Sequence, residues 1–305
     1  MKTIITGGAG FIGSHLSRKL LDTTSDTIVV YDNFSSGKQE YIPEDNRVTT
    51  VKGDIKDLST LTNAMQGADR VFHLAANPDI AKATTQPDID FWEGTYLGQN
   101  ILEAMRQTNT KRIFYTSGSG VYGDHPETTF DENYGPCIPI STYGASKLAV
   151  EALIAAYTHM FGIKATIFRF ANVVGPRQTH GVGYDFVAQL KKNPSKLKVL
   201  GDGSQSKSYI HISDILNAIW CTFDQTERID LFNVGTEDYI TVAEIAEIAA
   251  CLAGNNTSIT FSEGSRGWKG DVPIIRFGCS KIKTLGWKNR LTSSEAIKSS
   301  IESML

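Results

Sequence analysis

The chain has 305 residues, more than a typical single domain, so one large domain or two modest ones are expected. A hydrophobic content of 41% is enough for a packed core and argues against disorder. The net charge of −3 argues against a nucleic-acid or membrane-binding surface and favours a neutral or small anionic ligand. The four cysteines are far apart and form no C-x-x-C pair, so we predict reduced thiols and no metal site.

The beginning of the chain is typical of a strand. Met1 and Lys2 lead directly into Thr3–Thr6, where a secretory signal would place a longer apolar stretch. No apolar run approaches the roughly 18 residues that a membrane helix needs. We therefore expect a cytoplasmic protein with no membrane partner.

Strands and helices alternate along the first 170 residues. β-branched runs predict strands at Thr3–Thr6, Thr27–Tyr31, Arg47–Val51, Arg70–Leu74, Arg112–Tyr115 and Ala165–Phe170. Helical spacing predicts helices at Phe11–Leu21, Leu58–Met65, Ile89–Arg106 and Tyr143–Phe161. This alternation predicts an α/β fold with a doubly wound parallel sheet.

After Phe170 the alternation loosens, because Gly175-Pro176 and two further glycines interrupt it. The next predicted elements are a strand at Lys207–Ile212, a helix at Ile215–Phe223, a strand at Leu231–Val234 and a helix at Val242–Leu252. We predict that residues 1–173 and about 207–250 form one domain. Residues of about 174–206 and 251–305 would form a smaller, interleaved α+β domain.

A glycine-rich turn, Thr6–Gly13, follows the first predicted strand and opens the first predicted helix. Gly7 permits the tight turn, Gly10 lets the backbone approach a pyrophosphate, and Gly13 lets helix and strand pack closely. The helix N-terminus offers free N–H groups to the phosphates. In this context the glycine spacing predicts a dinucleotide-binding site.

An acidic residue, Asp32, ends the second predicted strand, about 20 residues beyond the last glycine of the turn. A carboxylate at this place accepts hydrogen bonds from ribose hydroxyls and repels a 2′-phosphate. The sequence therefore predicts NAD rather than NADP.

Tyr143 and Lys147 are four residues apart at the start of a predicted helix, so their side chains share one face. A free tyrosine is a poor base at neutral pH, and a neighbouring cation favours its phenolate. Moving its pKa from about 10 to about 7 needs roughly 4 kcal/mol, which Lys147 and a nicotinamide cation would supply jointly. Tyr143 could then take a proton from a hydroxyl as hydride leaves the carbon.

These motifs, with several further segments, resemble the extended short-chain dehydrogenase/reductases over essentially the whole chain. The nearest group is the NAD-dependent nucleotide-sugar epimerases and dehydratases, with UDP-hexose and UDP-hexuronate 4-epimerases most similar. The segments are Thr6–Gly13, Asp32-Asn33, Gly53–Ile55, His73–Ala76, Val121–Gly123, Tyr143–Lys147, Arg169–Asn172, Gly201–Ser204, Tyr209–Ile212 and Arg266–Pro273.

The resemblance implies a Rossmann-like fold and a role for each motif. Tyr143 would be the base, and Lys147 would bind the nicotinamide ribose. The NAD-binding residues would be Gly7, Gly10, Phe11, Ile12, Gly13, Asp32, Asn33, Ser35, Ser36, Gly37, Asp54, Ile55, Leu74, Ala75 and Ala76, together with Tyr143 and Lys147. The nucleotide-sugar, with UDP favoured, would be bound by Asn172, Lys207, Arg266 and His180, with Lys269 as a further candidate.

One position departs from the family pattern. The family places a catalytic Ser or Thr four residues before the tyrosine of Val121–Gly123, where this chain has Gly118. Serines flank that glycine, so we expect Ser117 or Ser119 to bridge the sugar hydroxyl and Tyr143.

Three reactions are open on this scaffold, and all begin with oxidation at C4 of the sugar. A 4,6-dehydratase of the family carries an Asp-Glu pair where this chain has Ser119 and Gly120, and a decarboxylase typically carries a glutamate at the latter. An epimerase needs only a proton shuttle, NAD and room for the 4-keto sugar to turn over. The missing acids favour the epimerase, while a non-catalytic NAD-binding module would need neither Tyr143 nor Lys147.

The predicted helices Ile89–Arg106 and Tyr143–Phe161 carry more apolar residues than one buried face requires. The family commonly dimerises through a bundle of these two helices, so we expect a homodimer. Which sugar is used stays open among hexoses, N-acetylhexosamines and hexuronates.

Overall fold

The computed structural model describes residues 1–225, 227–254, 256–268 and 270–305. The strands are β1 (Lys2–Thr6), β2 (Thr27–Asp32), β3 (Val48–Lys52), β4 (Arg70–His73), β5 (Arg112–Gly118), β6 (Thr129–Phe130), β7 (Lys164–Phe170), β8 (Asn172–Val174), β9 (Lys196–Val199), β10 (Ser206–Lys207), β11 (Tyr209–His211), β12 (Ile229–Val234), β13 (Ile240–Thr241), β14 (Ser258–Phe261) and β15 (Arg276–Phe277). The helices are α1 (Phe11–Thr23), α2 (Leu58–Met65), α3 (Tyr96–Thr108), α4 (Thr142–Phe161), α5 (Val182–Lys192), α6 (Ile212–Cys221), α7 (Val242–Leu252), α8 (Ser280–Lys283) and α9 (Ser293–Met304).

The central sheet has seven strands in the order β12-β7-β5-β4-β1-β2-β3. β1 pairs in parallel with both β2 and β4, and the pairs β2–β3 and β4–β5 are parallel as well. The chain winds outward from β1 in both directions, so the strand order reverses between β1 and β4. In such doubly wound sheets ligands bind at the carboxyl ends of the strands beside this reversal. The predicted α/β, Rossmann-like fold is confirmed.

The chain divides into two compact units. The first contains residues 1–118, 142–169 and 222–232, and the second contains residues 119–141, 170–221 and 233–305. The central sheet lies in the first unit, except for the last residues of β7 and β12. The core of the first unit is built from strand residues such as Ile4 and Val71 and from the helix residues Ile101 and Ile154, which are fully buried. Because central strands are covered on both faces, β1 and β4 are buried along almost their whole length.

The second unit has its own core, and its boundaries differ from the predicted domain boundaries. We assigned about 207–250 to the first domain, but most of this stretch lies in the second unit. The reason is packing: β10 pairs with β13, and Ile245 and Ala249 of α7 are buried against Val187 of α5 and Ile297 of α9. Periodicity identified α7 as a helix but carried no information about which core would bury it.

Two predicted elements differ in detail. The strand expected at Lys207–Ile212 is divided into β10 and β11, which pair with different partners. The helix expected at Ile89–Arg106 begins with a π-helical turn at Phe91–Thr95 before α3 continues it. Such turns often mark functional sites.

In the described part of the chain, no helix is both long and apolar enough to span a bilayer.

The packing of the glycine-rich turn gives a prediction about stability. A Cβ on Gly13 would lie 2.4 Å from the carbonyl oxygen of Gly7 and 2.6 Å from the Cα of Gly8, where only backbone could give way. We expect G13A to lower the free energy of unfolding by about 1–3 kcal/mol. The matched control is G183A in α5, whose Cβ would meet Ile301 at an ordinary 3.6 Å and which should be neutral or raise stability by up to about 1 kcal/mol. Urea unfolding of both variants measures this, and equal stabilities for both would contradict it.

Candidate active site

The turn between β1 and α1 forms a cradle of backbone N–H groups. Gly7 has a positive φ of 71°, and a Cβ there would lie 2.8 Å from the backbone nitrogen of Ala75 beyond β4. Gly10 is the N-cap of α1 and has no side chain to cap the N–H groups of Phe11 and Ile12, which begin the helix. Uncapped N–H groups at a helix start are suited to bind a pyrophosphate.

The carboxylate of Asp32 is fixed beside this turn. Its Oδ2 accepts a hydrogen bond from the backbone N–H of Ala9 at 2.9 Å, and its Oδ1 accepts one from Phe34 at 2.8 Å. Asp32 is buried, and Gly37 leaves it room, because a Cβ on Gly37 would lie 3.0 Å from both carboxylate oxygens. Each oxygen keeps a lone pair for a ribose hydroxyl. Asp32 is therefore an ordered carboxylate and not a solvated loop residue.

The other predicted NAD-binding residues of the first unit lie at the ends of neighbouring strands. Asn33, Ser35 and Ser36 follow β2, and the side-chain oxygen of Asn33 accepts a bond from the N–H of Ser35. Asp54 and Ile55 follow β3, where Ile55 is buried and the carboxylate of Asp54 accepts a bond from the N–H of Lys56. Leu74, Ala75 and Ala76 follow β4 and are half-buried.

These features fit NAD. The turn offers uncapped N–H groups to phosphates, Asp32 offers acceptors to a ribose, and the sites of Gly7 and Gly13 tolerate no side chain.

His73 at the end of β4 is a packed strand residue. Its Nδ1 lies 2.9 Å from Oγ1 of Thr6, and burial lowers its pKa to about 3, so the imidazole is neutral.

Tyr143 and Lys147 share one face of α4. The Nζ of Lys147 lies 5.5 Å from the centre of the Tyr143 ring and 5.2 Å from that of Tyr115. Lys147 is buried, and its Nζ donates a hydrogen bond of 2.7 Å to the carbonyl oxygen of Thr116 on β5. This bond fixes the ammonium group beside the phenol.

Among the chain's own residues, the pKa of Tyr143 is raised. Burial raises it to about 12, and the charge of Asp90 adds to this shift, so the lowering expected from Lys147 and a nicotinamide cation together stays a prediction. Burial also lowers the pKa of Lys147 to about 8, although Glu151 and Asp90 oppose that change. The residues of the chain thus hold Tyr143 protonated, and a phenolate requires a further positive charge nearby.

Ser117 belongs to a buried hydrogen-bonded network in the first unit. Its hydroxyl donates to Oε1 of Glu151, and the same carboxylate forms two bonds with the guanidinium of Arg169, at 3.1 and 2.7 Å. All three residues are buried. The hydroxyl proton of Ser117 is therefore committed to Glu151.

Ser119 has a different environment. It lies in the second unit, in a 3₁₀ turn at Ser119–Val121, and is half-buried. Its backbone carbonyl accepts a bond from Tyr122, while its hydroxyl makes no hydrogen bond to the described residues.

The predicted substrate-binding cations of the second unit are paired with acids. The Nζ of Lys207 lies 2.5 Å from Oδ1 of Asp271. Arg266 bonds the carboxylate of Asp124 and the carbonyl oxygen of Asp271. An anionic ligand would have to compete with these carboxylates. Lys269 lies outside the described residues.

Asn172 and His180 differ in how they are held. The amide of Asn172 donates to the carbonyl oxygen of Ser208, so it is tied to the β8–β11 pairing. His180 is exposed in a loop, where its carbonyl oxygen accepts a bond from Gln178. In the described part of the chain, no three acidic, His or Cys side chains cluster as metal ligands would.

Two buried acids next to the pair were missed by the sequence analysis. Glu151 follows Lys147 by four residues, so helical spacing could have placed it on the same face. Asp90 is far from Tyr143 in sequence, and no local pattern marks it.

The buried ammonium predicts a pH dependence of stability. The pKa of Lys147 is about 8 in the folded protein, whereas an ordinary lysine has a pKa of 10.5. Between these pH values the unfolded chain binds more protons than the folded chain, so the free energy of unfolding rises as the pH increases. We expect the difference in unfolding free energy between wild type and K147M to rise by up to about 3 kcal/mol over that range. Denaturant unfolding at several pH values measures it. A difference that stays constant would show that Lys147 is not held at a lowered pKa.

Comparisons with known proteins identify the family of the chain. Residues 3–235 match the model of the NAD dependent epimerase/dehydratase family. A Methanocaldococcus jannaschii protein, provisionally named a UDP-glucose 4-epimerase, is 33% identical over 303 residues, covering 97% of this chain and 95% of that protein.

Solved structures extend the likeness to the whole chain. The crystal structure of a UDP-galactose 4-epimerase has 37% identity and a TM-score of 0.89, covering 100% of this chain and 98% of that one. The structure of the UDP-glucose 4-epimerase of Thermus thermophilus in complex with NAD has 30% identity and a TM-score of 0.89. The match covers 100% of this chain and 99% of that one. With the dinucleotide cradle and the Tyr143–Lys147 pair already in place, the chain belongs to the NAD-dependent epimerase/dehydratase family.

Proposed function

We propose that this protein is a UDP-sugar 4-epimerase that uses tightly bound NAD. The observation that carries the proposal is the Tyr143–Lys147 pair on one face of α4, with the ammonium group fixed to Thr116. The relatives named above act on UDP-glucose or UDP-galactose, which supports UDP as the nucleotide.

The chemistry uses the phenol as the proton shuttle. The Tyr143 phenolate takes the proton of the C4 hydroxyl, the C–H bond at C4 breaks, and the sugar becomes a 4-keto sugar. NAD, held by the glycine-rich turn and Asp32, would supply the hydride acceptor for C4 and then the hydride donor for the opposite face, so it would not be consumed. The Tyr143 hydroxyl then gives its proton back to the C4 oxygen, which leaves the epimer and restores the phenolate.

The state of Tyr143 in the protein alone has a functional consequence. Its raised pKa favours the neutral phenol, so the phenolate would require a further positive charge nearby, which the nicotinamide of NAD would supply. Lys147 contributes a fixed cation, and its carbonyl bond leaves further N–H donors for a ribose hydroxyl.

The contacts favour Ser119 over Ser117 as the bridging hydroxyl. A bridge must accept a proton from the sugar and donate one to Tyr143, but Ser117 already donates to Glu151. We assign Ser117 the role of positioning β5 against α4 and Ser119 the role of the bridge in place of the residue missing at Gly118.

The second unit would bind the nucleotide-sugar through Asn172, Lys207, Arg266 and His180. Lys207 and Arg266 carry the charge that a diphosphate requires, and the acids now paired with them would be displaced or reoriented. The dehydratase and decarboxylase alternatives are disfavoured, because Ser119 and Gly120 provide no acid for those steps.

We also propose a homodimer through α3 and α4. On α4 the small residues Ala145, Ala152 and Ala156 are exposed, and Met160 at its end is 71% exposed. Trp92, in the turn that precedes α3, is exposed as well. An apolar helix face open to solvent is typical of a subunit interface. A cytoplasmic location stays a prediction.

The proposed reaction is tested by incubating the purified protein with UDP-glucose, UDP-N-acetylglucosamine and UDP-glucuronate without added NAD. We expect the 4-epimer of at least one donor, identified by chromatography and NMR. Y143F should lower kcat by at least about 100-fold, because the proton shuttle is lost. A 4-keto, dehydrated or decarboxylated product would contradict the epimerase assignment, as would turnover that Y143F leaves unchanged.

The assignment of the two serines predicts opposite effects. S119A should lower kcat at least about 100-fold with no change in unfolding free energy, because only the bridge is removed. S117A should lower the unfolding free energy by about 1–3 kcal/mol, because it leaves the Glu151 carboxylate with one partner fewer. Steady-state kinetics and urea unfolding of both variants separate the roles. Full turnover in both would rule out a serine bridge, and a reversed pattern would make Ser117 the bridging residue.

A further inference from the structure

Asp90 is a buried carboxylate in the first unit that the proposed reaction does not use. It is 1% exposed, and no cation of the described residues lies within salt-bridge distance of it. Burying an unpaired charge is costly unless hydrogen bonds or nearby charges offset the loss of water. The surroundings of Asp90 therefore indicate what it does.

Each oxygen of Asp90 accepts one hydrogen bond from a different segment. Oδ1 accepts from the side-chain amide of Asn77 at 2.8 Å, and Oδ2 accepts from the hydroxyl of Thr142 at 2.7 Å. Asn77 directly follows Leu74–Ala76, the predicted NAD-binding residues after β4. Thr142 is the first residue of α4 and directly precedes Tyr143.

The carboxylate thus joins three parts of the proposed site. It links the loop after β4 to the first turn of α4, and it directly precedes the π-helical turn Phe91–Thr95. The end of a helix is the part most free to fray, so a bond from Thr142 to a buried group limits movement of the phenol that follows it.

The charge of Asp90 also reaches the catalytic pair. It raises the pKa of Tyr143 and opposes the burial that lowers the pKa of Lys147. Glu151 also raises the pKa of Lys147, but it is not among the causes of the raised pKa of Tyr143.

The remaining titratable groups around the pair do not take over this role. Tyr115 on β5 has a pKa raised well above its ordinary value, and His73 on β4 is neutral, so neither carries charge near neutral pH. Arg169 is paired with Glu151. Asp90 and Glu151 are therefore the buried anions that offset the ammonium.

We propose that Asp90 is a positioning residue for the Tyr143–Lys147 pair: its carboxylate anchors the start of α4 through Thr142, and its buried negative charge offsets the ammonium group of Lys147. The inference rests on the proposed roles of Tyr143 and Lys147 as base and cation.

The test compares D90N with E151Q. An asparagine can keep both hydrogen bonds of Asp90, with its oxygen facing Asn77 and its amide donating to Thr142, so D90N removes mainly charge. In D90N both limbs of the pH profile of kcat should move to lower pH by about one unit, since both pKa values fall. In E151Q only the alkaline limb should move. Limbs that stay in place in D90N, with kcat lowered at every pH, would show that Asp90 is only a structural residue.

A second readout does not depend on turnover. In protein carrying ¹³C-labelled lysine, the Cε signal of Lys147, assigned with K147M, reports its protonation. It should titrate about one unit lower in D90N than in wild type. An unchanged titration would overturn the role of the charge. If wild type turns over no donor, the proposed reaction fails, while this titration still decides the role of Asp90.

The anchoring part is tested by T142S and T142V, which remain informative if D90N does not fold. T142S keeps the hydroxyl and should retain wild-type kcat within about twofold, whereas T142V should lose about tenfold or more, because the phenol is less well positioned. Wild-type kcat in T142V would overturn the anchoring role, and thermal unfolding confirms that each variant is folded.

Discussion

The hydrogen bond from the Lys147 ammonium group to the carbonyl oxygen of Thr116 is the contact on which the proposed site depends. It joins α4, which carries Tyr143 and Lys147, to the end of β5, and it keeps a charged group in a place where water is largely excluded. An ammonium group in such a place tends to lose its proton, and the lowered pKa of Lys147 shows this tendency. Two buried acids, Asp90 and Glu151, limit it. The proton chemistry proposed for Tyr143 therefore depends on buried charges beyond the Tyr143–Lys147 pair itself.

A second constraint is the close approach of backbone segments at the turn after β1. Gly7 and Gly13 leave no room for side chains, which lets α1 start close to the sheet and directs its N–H groups toward a ligand. Asp32 is held in place by the N–H of Ala9 in the same turn, so the phosphate and ribose features form one ordered unit. The two constraints lie on either side of the strand-order reversal, where doubly wound sheets bind their ligands.

Much of the first unit could be predicted from the sequence, because its signals are local. Apolar runs marked β1, β2 and β4, helical spacing marked α1, α2 and α4, and four-residue spacing placed Tyr143 beside Lys147. The boundaries of the second unit could not be predicted, since they depend on which core buries α7. Neither could the pairing of Lys207 with Asp271, which joins residues far apart in sequence. The raised pKa of Tyr143 could not be predicted either, because it depends on burial and on the charge of Asp90; the lowering expected from Lys147 and a nicotinamide cation together stays a prediction. Asp90 itself lies 53 positions before Tyr143, so only the folded chain shows that its carboxylate bonds the residue next to Tyr143.

In the proposed reaction, hydride leaves C4 of the sugar and returns to the same carbon, while Tyr143 moves only the hydroxyl proton. The most direct test uses a UDP-sugar labelled with deuterium at C4, incubated with the protein in ordinary water. We expect the 4-epimer to keep its deuterium at C4, because the carbon-bound hydrogen is never released to solvent. Loss of the label from the epimer, with hydrogen from water in its place, would rule out return of the same hydride to C4.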